Sequence, residues 1–239
     1  MSVHLVGGGL APEHHASVYG AFFAETAARA TASGRTDPRI AIIAVRAGDG
    51  AEHAAVLRTA LEVTGAIESV VTVLTPGERA TNLAVADVDG ILIGGGVTPA
   101  YLAAVVPIAG EIRRQVSAGI PYLGFSAGAM IAAERAIVGG WRIGGVEVSP
   151  QDASEDLDEI TIEQGIGLLD VTVDVHAAQW GTLSRLISAT EAGLIEGGLA
   201  IDENTALIVG EGALGVVGAG SVWRVSQAEG GVLVSTFGA

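Results

Sequence analysis

Residues 120–130 read Ile120-Pro121-Tyr122-Leu123-Gly124-Phe125-Ser126-Ala127-Gly128-Ala129-Met130. An apolar run ends in a serine that has glycine two places before and two places after it, and Ala-rich sequence follows. This is the pattern of a strand turning sharply into a helix, because the strained turn brings backbone segments too close for a Cβ at the flanking positions. Such a turn sets the Ser126 hydroxyl at the carboxyl end of a strand, where open α/β sheets bind ligands, and at the amino end of a helix. A hydroxyl so placed is a candidate nucleophile, with the N–H of Ala127 directed at a developing oxyanion. The plainer reading is a Gly-rich turn whose serine caps a helix.

Working outward, further β-branched runs end in glycine or lead into it, at residues 3–6, 40–45, 70–74 and 90–93. They are apolar on both faces, as interior parallel strands are. Ala-rich stretches at residues 19–33, 51–64, 100–118 and 127–136 alternate with them and predict helices. Such alternation predicts an α/β fold, a three-layer α/β/α sandwich with a mainly parallel sheet. After an acid-rich segment at 147–163 come a strand at 166–175, a helix at 182–192 and several short strands over 206–239, read as a short antiparallel C-terminal extension. Without a repeat or a Pro-rich linker, residues 1–239 read as a single domain.

Composition removes several classes of function. Hydrophobic residues make up 49% of the chain, yet no apolar stretch reaches the roughly 18 residues needed to cross a bilayer. No basic leader is visible, so the expectation is a cytoplasmic protein. The absence of cysteine excludes disulfides, thiolate metal sites and a Cys nucleophile. A formal charge of −15 with only 12 Lys and Arg disfavours nucleic acid and anionic membranes as partners.

A serine nucleophile needs a base, and there are 5 histidines. His176 follows an apolar strand and falls on the same rim as Ser126. His4 opens the first strand and belongs to the opposite rim, His14 and His15 follow the first glycine loop, and His53 begins a helix as a surface or helix-terminal residue. Neighbouring histidines rarely point at one ion, so no metal is expected. The acid that orients the imidazole has three candidates, Asp174, Asp202 and Glu203. Asp174 shares a strand face with His176 and is equally a substrate contact. Gly7-Gly8-Gly9 lacks dinucleotide-loop spacing and reads as a turn lining the pocket. The run Glu155-Asp156-Leu157-Asp158-Glu159 lacks calcium-loop spacing and reads as a solvated loop.

Three blocks carry a resemblance: Leu123-Gly124-Phe125-Ser126-Ala127-Gly128-Ala129, then Gly165-Ile166-Gly167-Leu168-Leu169 through Val173-Asp174-Val175-His176, then Ile201-Asp202-Glu203-Asn204-Thr205-Ala206-Leu207. In order and spacing the chain resembles the cyanophycinase and dipeptidase E family of serine peptidases. That resemblance implies a flavodoxin-like scaffold similar to the class I glutamine amidotransferases, with serine in place of their nucleophilic cysteine. It implies Ser126 as nucleophile, His176 as base and Glu203 as orienting acid, with the N–H groups of Ala127 and Gly95 forming an oxyanion hole. It also implies hydrolysis of a small peptide with an aspartyl or β-aspartyl unit through an acyl-enzyme, no cofactor, and a homodimer.

The chain departs from the family pattern where substrate is held. Val175, Ala177, Trp180 and Thr182 stand where Gln, Phe, Arg and Arg are expected, and Val97 stands where dipeptidase E enzymes have Asn. Gln179 and Arg185 remain as polar substrate contacts, while Trp180 replaces a carboxylate clamp with an apolar wall. Two rival readings are an α/β-hydrolase esterase, whose acid would fall between residues 134 and 170, and a non-catalytic ligand-binding protein on the same scaffold.

Overall fold

Strands that are apolar on both faces need cover on both faces, and the computed structural model, which describes residues 2–212 and 214–238, supplies it except for the run at 70–74, which forms an edge strand with Val71 and Val73 exposed rather than an interior one. The first half contains β1 (Val3–Val6), α1 (His15–Ala32), β2 (Arg39–Val45), α2 (Gly50–Glu62), β3 (Glu68–Leu74), β4 (Gly90–Ile93), α3 (Thr98–Val105), α4 (Ala109–Ser117), β5 (Tyr122–Phe125) and α5 (Ala127–Met130). The second half contains β6 (Arg135–Gly139), β7 (Arg142–Ile143), β8 (Val146–Glu147), β9 (Thr161–Gln164), β10 (Thr172–Val175), α6 (Leu183–Glu191), β11 (Gly197–Ile201), β12 (Thr205–Val209), β13 (Gly215–Gly218), β14 (Ser221–Ala228) and β15 (Gly231–Gly238).

The main sheet has seven strands in the order β13-β12-β1-β5-β4-β2-β3. Strands β1, β5, β4, β2 and β3 are parallel, and β12 and β13 extend the sheet antiparallel at one edge. Alternate residues divide between the faces. Ile40, Ile42, Leu92 and Leu123 pack with Phe22 of α1 and Leu57 of α2, whereas Leu5, Ile43, Ile93 and Tyr122 pack with Tyr101 of α3 and Ile112 of α4. This period of two is what the pleat imposes on a strand buried on both sides. The α/β/α layering with a mostly parallel sheet therefore agrees with the expectation.

A second sheet, β10-β11-β14-β15, packs on the α3 and α4 side and shares its core through Val173, Val175, Leu199 and Ile201. Here β10 and β11 are parallel and joined through α6, while β14 and β15 are antiparallel. The C-terminal third thus divides between two sheets. Smaller pairs β6-β9 and β7-β8 form an excursion between α5 and β10.

Two expected helices are shorter than the sequence suggests. The stretch at 100–118 breaks into α3 and α4 around a 3-10 turn at Val106–Ile108, where Pro107 offers no N–H and its ring crowds the preceding turn. The stretch at 127–136 is helical only over Ala127–Met130. The carbonyls of Ile131, Ala132 and Ala133 instead accept N–H groups from Ile166, Leu168 and Gly167. Those same bonds confine the strand expected at 166–175 to Thr172–Val175.

Close backbone approach explains the two glycines of the turn. A Cβ on Gly124 would lie 2.4 Å from the Gly128 carbonyl oxygen, and one on Gly128 would lie 2.2 Å from that of Ile93. We expect Gly128→Ala to destabilise the fold by about 1–3 kcal/mol, the usual cost of overpacking. Gly20, inside α1 with nothing within 4 Å of a Cβ, is the control: Gly20→Ala should stabilise by up to about 1 kcal/mol. Urea unfolding checks both signs.

Candidate active site

Strand β5 delivers Ser126 to the carboxyl edge of the main sheet, beside the loops that follow β1, β2 and β4. Its backbone is left-handed, with φ 53° and ψ −112°, a conformation that costs a non-glycine residue roughly 1–3 kcal/mol. The N–H of Ser126 donates to the Val6 carbonyl at 2.9 Å, and its own carbonyl accepts from Ala129 and Met130 at 2.8 and 3.1 Å. These bonds hold the turn and leave the hydroxyl free to face the cavity. As the first residue of α5, Ala127 has an N–H with no acceptor inside the helix.

His176 arrives from the other sheet. It follows β10 with φ 56°, and its N–H donates to the Gly7 carbonyl at 3.0 Å, stitching the two sheets together. Its Nε2 lies 2.9 Å from Ser126 Oγ and its Nδ1 lies 2.7 Å from Glu203 Oε1. A carboxylate on Nδ1 keeps the proton there, so the Nε2 lone pair faces the serine hydroxyl. Burial lowers the imidazole pKa below its ordinary value, outweighing the opposing pull of Glu203.

The three candidate acids separate cleanly. Glu203 holds His176, and the Glu203 N–H donates to Gln179 Oε1 at 2.9 Å. Asp202 is occupied elsewhere, accepting from the N–H groups of Ala178 and Ser221 and from Trp223 Nε1 at 3.1, 2.9 and 3.0 Å. Asp174 is buried against Arg185, with contacts of 2.8 and 2.7 Å. The partner of His176 therefore lies at 203, and not between 134 and 170 where an esterase of the α/β-hydrolase type would supply it.

That pairing changes the expected role of two residues. Asp174 and Arg185 were expected to touch substrate, but they are 0% and 2% exposed and satisfy each other. Arg185 Nη1 also donates to the Ala153 carbonyl at 2.6 Å, fastening residues 150–156 to β10. Gln179 supports Glu203 and borders a side cavity of about 570 Å³, together with Trp180 and Asp152. Trp180 stacks on His176 with ring centroids 3.9 Å apart.

A cavity of about 680 Å³ opens over Ser126 and His176, walled by Gly95, Arg46, Glu155 and Trp180. The Gly95 N–H, expected at an oxyanion, donates to His53 Nε2 at 3.1 Å. The Gly95 carbonyl accepts from Tyr101 Oη at 3.0 Å and Arg46 Nη1 at 3.1 Å. His53, half-buried in the first turn of α2, is thus helix-terminal as expected and also lines the cavity. Burial, aided by the Arg46 guanidinium, pulls its pKa down to about 4, so it is neutral and able to accept. Arg46 is itself clamped to Asp49 at 2.9 and 3.0 Å.

Glu155 also departs from the solvated-loop reading. Its carboxylate turns inward to accept from the Thr98 N–H and hydroxyl, each at 3.1 Å, and burial raises its pKa. Arg46 was discoverable in the sequence, because it follows β2 at the ligand-binding edge. His53 and Glu155 carried no such signal, since each acts through a contact between distant segments. His14 and His15 do not line the cavity. Among the described residues, no cluster of His, Asp and Glu is arranged to hold a metal ion, and no helix is long and apolar enough to cross a membrane.

Residues 27–217 match the model of peptidase family S51. The chain is 37% identical over 138 residues to cyanophycinases of Synechococcus elongatus and Thermosynechococcus vestitus, an alignment covering 56% of this chain and 40% of those proteins. The matched segment therefore spans less than half the length of these curated relatives. Among solved structures, a peptidase from an acI-B1 Actinobacterium superposes with a TM-score of 0.63 at 20% identity, covering 100% of this chain and 96% of the other. A putative peptidase E protein from Listeria monocytogenes gives 0.55 at 14% identity, covering 91% and 98%. At these identities the two structures speak for the fold alone.

The buried Asp174–Arg185 pair makes a test of its structural role. Arg185→Ala should cost about 3–5 kcal/mol, because it strands a buried carboxylate. Removing both charges together, as Asp174→Asn with Arg185→Met, should recover part of that loss. A double-mutant cycle by urea unfolding measures the coupling.

Proposed function

The chain belongs to peptidase family S51, and on that premise we propose that it is a serine peptidase that cleaves an amide bond in a small peptide, with Ser126 as nucleophile. The observation that carries this reading is the continuous hydrogen-bonded line from Ser126 Oγ through the His176 ring to Glu203. A serine hydroxyl is a weak nucleophile until a base takes its proton, and the base works only if its tautomer is held.

In the proposed reaction Ser126 Oγ attacks the carbonyl carbon as its proton passes to His176 Nε2. The Glu203 carboxylate stabilises the resulting imidazolium through Nδ1–H. The carbonyl oxygen becomes an oxyanion, accepting from the Ala127 N–H and from the Gly95 N–H, which exchanges His53 Nε2 for the stronger charged acceptor. His176 then gives its proton to the leaving amine and the C–N bond breaks. Water, deprotonated by the same imidazole, releases the acyl group and restores Ser126.

For the substrate, we infer an aspartyl or β-aspartyl peptide. The support is the similarity to cyanophycinases over 56% of this chain. Trp180 and the inward-turned Glu155 give this cavity walls unlike the arginine clamps the resemblance implies, so the substrate's carboxylates are held differently here.

A fluorophosphonate probe tests the nucleophile directly. Wild type should label stoichiometrically and Ser126→Ala should not, and labelling that survives the substitution would sink the assignment. Because burial depresses the His176 pKa, the working neutral base persists below pH 6.5, and the acid limb of the labelling rate should have its midpoint below that value. A midpoint above 6.5 argues against the desolvated base. For the substrate, α- and β-linked aspartyl dipeptides should release amine in a reaction lost in His176→Ala, and no release from any aspartyl dipeptide excludes that class.

A further inference from the structure

Trp180 lies four residues after His176 and donates its backbone N–H to the His176 carbonyl at 2.9 Å. That turn lays the indole flat on the imidazole, with centroids 3.9 Å apart and planes 9° from parallel. Trp180 is 47% exposed, so much of its surface stays open to solvent while the stack is made. Other edges of the imidazole are spoken for. Nε2 meets Ser126 and Nδ1 meets Glu203, while Gly8 closes on Cε1 so tightly that a Cβ there would sit 2.0 Å away. Trp180 covers one face of the ring.

We propose that Trp180 is a positioning residue for the reaction: its indole face holds the imidazole plane with Nε2 on Ser126, and stabilises the imidazolium formed when Ser126 Oγ gives up its proton and bonds to carbon. This rests on the reading of Ser126 and His176 as the nucleophile and base. An aromatic face carries a partial negative charge, so it attracts a cation more than a neutral ring. The stack is therefore worth more after proton transfer than before, and only such a difference accelerates a chemical step.

Several charged groups bear on the same imidazole. Glu203, from the turn between β11 and β12, and Asp174, on β10, favour the cation, whereas Arg185, on α6, opposes it. Ser126 and Gly8 contribute no charge. Trp180 is set apart from these by its half-exposed position, which allows substitution without disturbing a buried ion pair.

The deciding variant is Trp180→Leu. Leucine keeps the ring shielded from water, so desolvation is preserved while the π face is lost; alanine would change both at once. Trp180→Phe retains an aromatic face and serves as the conservative rescue. The His176 Cε1–H resonance, identified by its loss in His176→Ala, is titrated by NMR in each variant. In Trp180→Leu the His176 midpoint should fall by about 0.5–1 pH unit, with Trp180→Phe close to wild type. The rate of fluorophosphonate labelling should fall about 3- to 10-fold in Trp180→Leu and recover in Trp180→Phe.

An unchanged or raised midpoint in Trp180→Leu overturns the proposal. So does a variant that labels at the wild-type rate and loses only KM toward a peptide, because the indole would then be a substrate wall. The NMR titration reads the stack without turnover, so a wild type that fails to label counts against Ser126 as nucleophile while the Trp180 result stands or falls separately.

Discussion

Everything at the site depends on one backbone hydrogen bond, from the His176 N–H to the Gly7 carbonyl. Ser126 belongs to a seven-stranded sheet and His176 to a four-stranded one, and this bond brings their carboxyl edges together. The approach is possible only without side chains. A Cβ on Gly7 would meet the Asp202 carbonyl oxygen at 2.2 Å, and one on Gly8 would strike the His176 ring. Asn204 continues the seam, donating its N–H to the Gly8 carbonyl at 2.7 Å and accepting from the Ala11 N–H through Oδ1 at 3.0 Å. The first glycine loop is therefore the joint between two layers, and it sets where the imidazole stands relative to the serine.

Much of the fold was legible because its strands are apolar on both faces, a pattern with few structural solutions. The positions of Ser126 and His176 at strand ends were legible for the same reason: in an α/β sheet the end of a strand locates a residue on a rim. What could not be read was how the last third divides between sheets. A short apolar run gives no information about which neighbour it pairs with, and the runs at 197–201 and 205–209 are adjacent in sequence yet lie in different sheets. The Ala-rich sequence after Met130 has high helix propensity, but hydrogen bonds from residues 166–168 capture its carbonyls. Tertiary pairing overrides local preference there.

The same reasoning separates residues that resemble substrate contacts from residues able to reach one. The spacing of Asp174 and His176 predicts one strand face, but β10 ends at Val175 and His176 turns away with φ 56°, leaving Asp174 buried where Arg185 neutralises it. A buried carboxylate needs such a partner, because an unpaired charge in the interior costs several kcal/mol. Arg185 also reaches the Ala153 carbonyl, so the pair steadies the segment that carries Glu155 into the cavity. Its contribution to the site is made through the backbone of a loop. Only the three-dimensional path of that loop distinguishes this from direct recognition.

Two histidines at the cavity differ in chemistry because their neighbours differ. His53 has an arginine nearby and is desolvated, so it stays uncharged down to about pH 4 and can accept the Gly95 N–H throughout the neutral range. His176 is also desolvated, but a carboxylate on Nδ1 and an indole on its face favour the cation, leaving it able to gain and lose a proton. Protonation of His53 would remove the acceptor of the Gly95 N–H and cost the glycine loop one of its anchors. Burial beside Arg46 holds that protonation down to about pH 4. The loop that packs against Ser126 thereby keeps this anchor in the resting state across the neutral range, and gives it up only when the Gly95 N–H turns to the proposed oxyanion.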